Sequence, residues 1–326
     1  MKRIIIDTDP GIDDAAALFF ALASPELSVE AITTIYGNGP VETSTQNTLR
    51  ILKAADRLEI PVYQGAGKPL LRDPIPGWAS QVHGNDALGD TDFPFSGSPH
   101  QVCGQHAALE IIDRVMNSAG EITVLALGRL TNLALAMSLE PGLAGSVAEI
   151  IVMGGAVAVP GNSSAVASAN LYEDPESASI LYNSGAPLVQ VGLDVCNQVE
   201  INSSQLLQIE QAGTPTTGLL AAATPFLQTY YRNHGMLREM DGVRYNDLAA
   251  AAYAFDPILF QAKEYPVTIE THSELSRGQT VVDRRAINQD SGNASEDEST
   301  TVRVCLEVDA ARLSSLFTQR ICGYGS

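Results

Sequence analysis

Basic residues are scarce in this chain. It has 19 lysines and arginines against 38 aspartates and glutamates among its 326 residues, so its formal net charge is −19. A surface this acidic repels the phosphates of a nucleic acid duplex and the headgroups of an anionic membrane. The composition therefore excludes these two classes of partner without naming another.

Long apolar runs and paired cysteines are also missing. No apolar stretch reaches the roughly 18 residues that a transmembrane helix needs, and acids interrupt the apolar stretch that follows the initial "MKR", which argues against a signal peptide. The four cysteines, Cys103, Cys196, Cys305 and Cys322, form no C-x-x-C pair. This pattern favours free thiols in a reducing compartment. We therefore expect a cytoplasmic protein without membrane spans.

What the chain does have is a regular alternation of short β-rich runs with helical stretches. The first strands are predicted in "RIIID", "VEAITTIYG", "EITVLALG", "EIIVMGG" and "PLVQVGLD". Near-continuous apolar strands between helices predict an α/β fold, an open, mostly parallel sheet flanked by helices. We expect a single domain over residues 1–326.

The second half of the chain has a different pattern. Residues 202–256 are predicted to be mostly helical, and strands are predicted at about 265–271, 279–283 and 301–308, followed by a short helix. Between the last two strands, residues 288–300 are polar and acidic, which is typical of a solvated loop.

Four aspartates crowd the end of the first strand, in "IDTDPGIDD". They are Asp7, Asp9, Asp13 and Asp14. Asp13 and Asp14 are explained by helix capping, since acids favour the positive end of a helix. Capping does not explain Asp7 and Asp9, which precede "PG". Carboxylates this close repel one another, and a hard cation such as Ca²⁺ or Mg²⁺ removes that repulsion. Zinc is disfavoured because no histidine or cysteine accompanies the acids.

Other polar groups follow the later strands. Asn38 ends the second strand, the Leu127 carbonyl and Met153 end two further strands, and Asp194 ends a fourth. In open α/β sheets, ligands bind beyond the carboxyl ends of the strands. If these strands are adjacent, the groups converge on one cleft with the aspartates.

The segment "IIIDTDPGIDDAAAL" resembles the N-terminal signature of the inosine-uridine-preferring nucleoside hydrolase family. Further segments that resemble this family follow in the same order: "YGN" at 36–38, "HGNDALGD" at 83–90, "LALGRLTNLALA" at 125–136, "IVMGGA" at 151–156, "ANLYEDPESA" at 169–178, "YNDLAAAAY" at 245–253 and "RGQTVVD" at 277–283. This ordered set covers nearly the whole chain and is more specific than a lone D-x-D. The resemblance implies a single domain with the Rossmann-like fold of the nucleoside hydrolases.

The resemblance also implies a reaction and a cofactor. A calcium ion at the bottom of the cleft would bind a water and the ribose 2′- and 3′-hydroxyls, with Asp9, Asp14, Asp247 and the Leu127 carbonyl as its ligands. Asp9 would also act as general base. The calcium-bound water would then hydrolyse the N-glycosidic bond of a ribonucleoside to ribose and free base. Such chemistry suits these residue types, because a cation beside a carboxylate supplies a nucleophile at neutral pH.

Further roles come from the same resemblance. The implied substrate-binding residues are Asp13, Asn38, His83, Met153, Asn162, Ser168 and Asn170. Of these, Asp13, Asn38 and Asn170 would hydrogen-bond ribose hydroxyls, and Asn162 would reach the 5′-hydroxyl. The family also implies a homodimer or homotetramer and a role in nucleoside salvage.

Two positions depart from the family pattern. Asn246 stands at a catalytic position where many members have the histidine that protonates the leaving base, and asparagine delivers no proton. Ser168 stands where the family commonly has a glutamate that holds the 5′-hydroxyl. Some purine-preferring members activate the base by aromatic stacking instead, and the chain offers several aromatic candidates and one alternative acid, namely Trp78, Tyr230, Tyr231, Tyr245 and His234.

Two other functions remain open from the sequence. One is a magnesium-dependent phosphatase, since "DTD" follows a strand, but lysine is scarce and the later motifs do not fit this class. The other is a catalytically weakened nucleoside- or ribose-binding protein of the same fold, which Asn246 and Ser168 motivate. It would bind the cation and the ligand without turnover.

Overall fold

A computed structural model describes residues 1–91, 102–234, 240–283 and 301–325. Its strands are β1 Lys2–Thr8, β2 Leu27–Thr34, β3 Val62–Gln64, β4 Val102–Cys103, β5 Ile122–Ala126, β6 Glu149–Met153, β7 Leu188–Val191, β8 Ile201–Asn202, β9 Gly242–Val243, β10 Phe260–Ile269, β11 Thr280–Val282 and β12 Thr301–Val308. Ten of them form one sheet in the order β11-β10-β12-β7-β6-β5-β1-β2-β3-β4, and β8 pairs with β9.

Parallel pairing dominates this sheet. All its pairs from β12 to β4 are parallel, whereas β10 runs antiparallel to both β12 and β11 at one edge. The central strands β1, β5 and β6 are thus neighbours, and their carboxyl ends lie at the same edge of the sheet. The expected α/β fold with an open, mostly parallel sheet is confirmed.

Helices cover both faces of the sheet. They are α1 Ile12–Leu22, α2 Val41–Ala54, α3 Ser80–His83, α4 Ala107–Asn117, α5 Thr131–Leu139, α6 Leu143–Ser146, α7 Ala169–Glu173, α8 Pro175–Tyr182, α9 Leu193–Cys196, α10 Ser203–Ala212, α11 Pro215–Asn233, α12 Asp247–Phe255 and α13 Ala310–Gly323. None of the helices in the described ranges is both long and apolar enough to cross a membrane.

The sheet divides most of the core into two large apolar clusters. Side chains alternate across a strand, so Ile4 and Ile6 of β1 enter one cluster and Ile5 enters the other. In the first cluster α1 is buried along its whole length and packs against α12. The alanines of α12 are small, and they let the two helices lie close beside the strand ends that carry the aspartates.

The C-terminal elements differ from the prediction in their bounds. Strand β10 begins at Phe260, before the predicted start at about 265, and the last helix has 14 residues instead of being short. Its length follows from Leu313, Phe317 and Ile321, which are spaced four residues apart and bury one face. The predicted acidic loop at 288–300 lies outside the described residues.

Candidate active site

The carboxyl ends of β1, β5 and β6 open into a cavity of about 510 Å³. Every residue that the sequence assigned to a site lies in its wall: Asp9, Asp13, Asp14, Asn38, His83, Leu127, Met153, Asn162, Ser168, Asn170, Asn246 and Asp247. They come from seven separate stretches of chain. The sheet order brings together the residues that follow β1, β2, β5 and β6, because these strands are neighbours, whereas His83 lies in α3 and the pair Asn246–Asp247 at the start of α12. Asp194 was also expected at this cleft, but it lies outside the wall, where its carboxylate accepts from the backbone N–H groups of Val157 at 2.9 Å and Ala158 at 2.7 Å.

The turn from β1 to α1 forms the floor of the cavity. Asp14 fixes this turn, since its carboxylate accepts hydrogen bonds from the Thr8 hydroxyl at 2.6 Å and from the Gly11 backbone N–H at 2.9 Å. A Cβ atom at Gly11 would lie only 2.7 Å from the Asn38 amide nitrogen and 2.8 Å from His83 Nδ1. Glycine at position 11 therefore lets two wall residues close over the turn.

A cluster of carboxylates on this floor has the donor set of a cation site. Asp13, Asp14 and Asp247 are buried, and one oxygen from each lies within 4.8 Å of the others. Burial raises the pKa of Asp13 to about 6 and that of Asp247 well above its ordinary value, with the neighbouring carboxylates adding to the rise for Asp247. Asp13 Oδ1 is enclosed and has no hydrogen-bond partner among the described residues. Uncompensated carboxylates with oxygen-only donors fit a hard divalent cation.

Asp9 lies beside this cluster and is held by other groups. Its Oδ2 accepts from the backbone N–H of Asn38 at 2.8 Å and from the guanidinium of Arg129 at 2.5 Å. Burial raises its pKa well above the ordinary value, and the charge of Arg129 opposes that rise. Its Oδ1 accepts no hydrogen bond from the described residues. This oxygen is therefore available to a ligand.

Arg129 is a site residue that sequence reasoning missed. Its side chain is 2% exposed, and besides Asp9 it donates to Asn170 Oδ1 at 3.2 Å and to both oxygens of Glu173 at 3.0 and 2.5 Å. The one available signal was its position, a basic residue three positions after the end of β5 in "LALGRLTN". Arg129 thus joins the Asp9 carboxylate to a second acid on α7.

Asp7 has a supporting position behind the cavity wall. It is fully buried, and its Oδ1 accepts from the Thr33 hydroxyl at 2.6 Å and from the Asn132 amide at 2.8 Å. Burial raises its pKa to about 7. These contacts tie the end of β1 to β2 and α5.

Two amides line the side of the cavity next to the floor. The Asn38 side chain donates to Asp14 Oδ2 at 3.0 Å and to the Asp9 carbonyl at 3.1 Å. The Asn170 side chain donates to the carbonyls of Leu127 at 2.6 Å and Met153 at 2.9 Å. The Leu127 carbonyl, a predicted cation ligand, therefore accepts from Asn170 in this arrangement.

Asn162 and Ser168 hold the loop between β6 and α7. Asn162 Oδ1 accepts from the Ala169 N–H at 3.0 Å, and Ser168 Oγ accepts from the Gly155 N–H at 2.7 Å. Both residues line the cavity, but neither presents a carboxylate there.

The cavity wall also has an aromatic side, and His83 lies over the β1–α1 turn beside the floor. The ring Nδ1 of His83 accepts from the Ile12 N–H at 3.2 Å, which places its proton on Nε2, 3.8 Å from Asp13 Oδ1. Burial lowers the His83 pKa to about 4, so the ring is neutral at physiological pH. It is therefore a hydrogen-bond donor toward the cavity and not a cation.

Of the aromatic candidates, three line the cavity and one does not. Trp78, Tyr230 and Tyr231 belong to its wall. Tyr245 is 1% exposed in the core, where its hydroxyl lies 2.5 Å from that of Thr224. His234 is exposed and contacts the Tyr230 ring and carbonyl outside the cavity. The wall also includes Arg244 beside Asn246, which sequence reasoning did not single out.

Comparison with known proteins agrees with this geometry. A family model described as "Inosine-uridine preferring nucleoside hydrolase" matches residues 4–315. The chain is 38% identical over 321 residues to "Probable uridine nucleosidase 2" of Arabidopsis thaliana, covering 98% of this chain and 97% of that one.

Two solved structures are similar over 99% of both chains. One is a plant nucleoside hydrolase, the PpNRh1 enzyme, at 37% identity and a TM-score of 0.90. The other is a purine-preferring ribonucleoside hydrolase from Gardnerella vaginalis, at 30% identity and a TM-score of 0.90. The chain therefore belongs to the inosine-uridine preferring nucleoside hydrolase family, whose members are hydrolases of N-glycosyl bonds.

Proposed function

We propose that this enzyme hydrolyses the N-glycosidic bond of ribonucleosides, with Asp9 as the general base and a divalent cation, calcium, on the cavity floor. The observation that carries the proposal is the buried carboxylate cluster at the strand ends, in a chain of this family. An isolated nucleoside has the size and the hydroxyl groups to occupy a polar cavity of this volume.

The proposed cation ligands are Asp9, Asp14, Asp247 and the Leu127 carbonyl. When bound, the cation supplies positive charge that offsets the buried carboxylates and acidifies the attacking water. A fit is supported by the raised pKa values of Asp9 and Asp247, because burial without a counter-charge disfavours their ionised forms.

The residues of the chain have distinct proposed tasks. Asp9 accepts the proton of the water that attacks the ribose C1′, and Arg129 holds one of its oxygens in place. The unpartnered Oδ1 of Asp13 accepts a ribose hydroxyl hydrogen, and Asn38 and Asn170 orient the sugar. As the bond to the base breaks, positive charge grows on the ribose, and the surrounding carboxylates stabilise it.

The first test is release of reducing sugar from inosine, guanosine, adenosine, uridine, cytidine and their 2′-deoxy forms, with calcium and with chelator. We expect calcium-dependent release from ribonucleosides and much less from deoxynucleosides, because the 2′-hydroxyl is a proposed contact of the floor. Release that is indifferent to chelator would contradict the cation part of the proposal.

Cation binding itself has a pH signature. Without cation, the free energy of unfolding should fall as the pH rises from about 4 to about 6, because the unfolded chain releases carboxyl protons that the folded state retains. Calcium must displace those protons, so the rise in Tm on adding it should grow from about pH 5 to about pH 8. A rise in Tm that is constant over this range would contradict a site built on these carboxylates.

Asn246 gives specific support to a second candidate, a nucleoside-binding protein with weakened catalysis. Asparagine at this position cannot protonate the leaving base. Tight binding of ribonucleosides by calorimetry without release of sugar would favour it. From the resemblance to the family we also propose a homodimer or homotetramer and a role in nucleoside salvage in the cytoplasm, which light scattering and fractionation would test.

A further inference from the structure

When the glycosidic bond breaks, the base leaves with the bonding electron pair. A group that stabilises the resulting negative charge on the base is needed. Neighbouring polar groups on the aromatic side have other partners: the Tyr231 hydroxyl donates to the Arg244 carbonyl at 2.9 Å, and the His83 Nε2 lies toward Asp13. Asn246 offers only a neutral amide. The remaining cationic group in this part of the wall is the guanidinium of Arg244.

Arg244 forms no ion pair with any carboxylate among the described residues, although the chain is rich in acids. It is half-buried, lines the cavity, and its Nε is enclosed without a hydrogen-bond partner among the described residues. Every other buried or half-buried arginine in the described ranges forms an ion pair with a carboxylate. Burying an unpaired charge is costly unless a partner arrives, so a ligand that supplies an acceptor is the expected partner.

The backbone around Arg244 is well anchored. Strand β9 ends at Val243, which pairs with Ile201 of β8, and α12 begins at Asp247. The Tyr231 hydroxyl fixes the Arg244 carbonyl from α11. A short segment between a paired strand and a buried helix thus holds the arginine near the carboxylate floor, on elements other than the β6–α7 loop that carries Asn162 and Ser168.

We propose that Arg244 is a catalytic residue that donates a hydrogen bond to an acceptor atom of the leaving base. The inference rests on the proposed hydrolysis of ribonucleosides, and it specifies the class of base. In uridine the glycosidic nitrogen N1 is flanked by a carbonyl oxygen, O2, so negative charge on the departing uracil spreads to an oxygen that a guanidinium can meet. Pyrimidine ribonucleosides with this carbonyl are therefore the favoured substrates.

Hydrolysis of the C1′–N1 bond in this way needs no side chain of the protein to act as an acid. The electron pair of the C1′–N1 bond passes to the base, the water oxygen bonds to C1′, and the water proton passes to Asp9. Arg244 stays protonated throughout, because its guanidinium does not release a proton in proteins, and it stabilises the base as an anion. The anion takes a proton from solvent after it leaves. Stabilisation by Arg244 thus replaces the acid that Asn246 cannot provide.

The test compares three ribosides whose leaving groups depart as anions with increasing ease: uridine, 5-fluorouridine and 4-nitrophenyl β-D-ribofuranoside. Loss of one preorganised donor at a developing anion typically lowers kcat by about 10²–10³-fold. We expect Arg244→Met to lower kcat on uridine by about 10²-fold, on 5-fluorouridine by less, and on the nitrophenyl riboside hardly at all. Arg244→Lys keeps the charge and should restore part of the uridine activity.

The matched control is Arg232→Met, which removes an exposed arginine of α11 that has no ion pair in the described residues. It should leave all three rates unchanged. Equal losses on all three ribosides in Arg244→Met, or no loss, would overturn the inference. The inference would also be overturned if Arg244→Met hydrolysed uridine as fast as wild type but were inhibited less strongly than wild type by uridine 5′-monophosphate. Arg244 would then bind a phosphate group and not the base. A wild-type enzyme that cleaves none of the three would overturn the proposed function as well.

Discussion

The two ends of the cavity are built in different ways. The carboxylate floor is formed at the β1–α1 turn, and its residues Asp9 and Asp14 are 1% exposed and bound on several sides. The aromatic end includes half-buried side chains on separate elements, among them Trp78, which has a left-handed φ of 51°, and Arg244, which has no counter-ion in the described ranges.

This difference separates two tasks. In the proposed function the floor would hold a cation, a water and a ribose, and these tasks are common to every ribonucleoside. The aromatic end would then meet the base, the part of the substrate that varies. Two relatives of the chain have names that differ in the base, one a probable uridine nucleosidase and the other a purine-preferring ribonucleoside hydrolase.

The largest expected effect is on the floor. Asp9→Asn removes the proposed base while keeping the size of the side chain, so kcat for reducing-sugar release should fall by about 10²–10⁴-fold. Asp113→Asn, on the surface of α4, is the control and should keep full activity. If Asp9→Asn stays within tenfold of wild type at saturating calcium, Asp9 is not the base.

Arg129 tests how rigidly the floor is held. Arg129→Met leaves Asp9 and Glu173 buried without their partner, and breaking a buried ion pair typically costs about 3–5 kcal/mol. Urea unfolding should show a loss in that range in the absence of calcium. Arg312→Met removes an exposed partner of Asp256 on the surface and should cost about 1 kcal/mol or less. Similar losses in both variants would mean that the Arg129 pairing contributes no more than a surface pair.

Asn246 tests the aromatic end. Asn246→His introduces the acid found in many family members and should raise kcat on uridine or cytidine by about tenfold, less than the full effect of a positioned acid. The gain from Asn246→His should be larger in the Arg244→Met variant than in wild type, because the proposed stabilisation of the leaving base by Arg244 is then missing. If neither background gains activity, the leaving group is handled elsewhere.

The smallest effect is expected where the substrate's 5′ end meets the β6–α7 loop. Ser168 presents no carboxylate, and Asn162 Oδ1 already accepts from Ala169. Replacing uridine by 5′-deoxyuridine should therefore lower kcat/KM by less than about tenfold, the size of one ordinary hydrogen bond. A loss of several hundredfold would reveal a strong 5′ contact that these residues do not explain.

Much of the fold and of the floor followed from the sequence. The alternation of apolar strands and helices predicts a parallel sheet, and a sheet of this kind sends the polar residues after β1, β2, β5 and β6 to one edge. All twelve predicted site positions line one cavity. Those after these strands do so for that reason, whereas His83 and Asp247 reach it from α3 and α12. Strand limits such as the start of β10 were less accurate, because pairing with β12 extends the strand beyond its apolar stretch.

What the sequence determined by itself is the chemistry of contiguous segments, above all the aspartates of "DTDPGIDD", because their spacing along one turn fixes their proximity. Only the tertiary structure decided which distant side chains meet. Arg129 and Asp9 are 120 residues apart, and packing alone pairs them. The same holds for Arg244, because only its surroundings show that no carboxylate of the described ranges pairs with it. Local spacing fixes neighbours along the chain, whereas burial and partners across the cavity depend on how the elements pack.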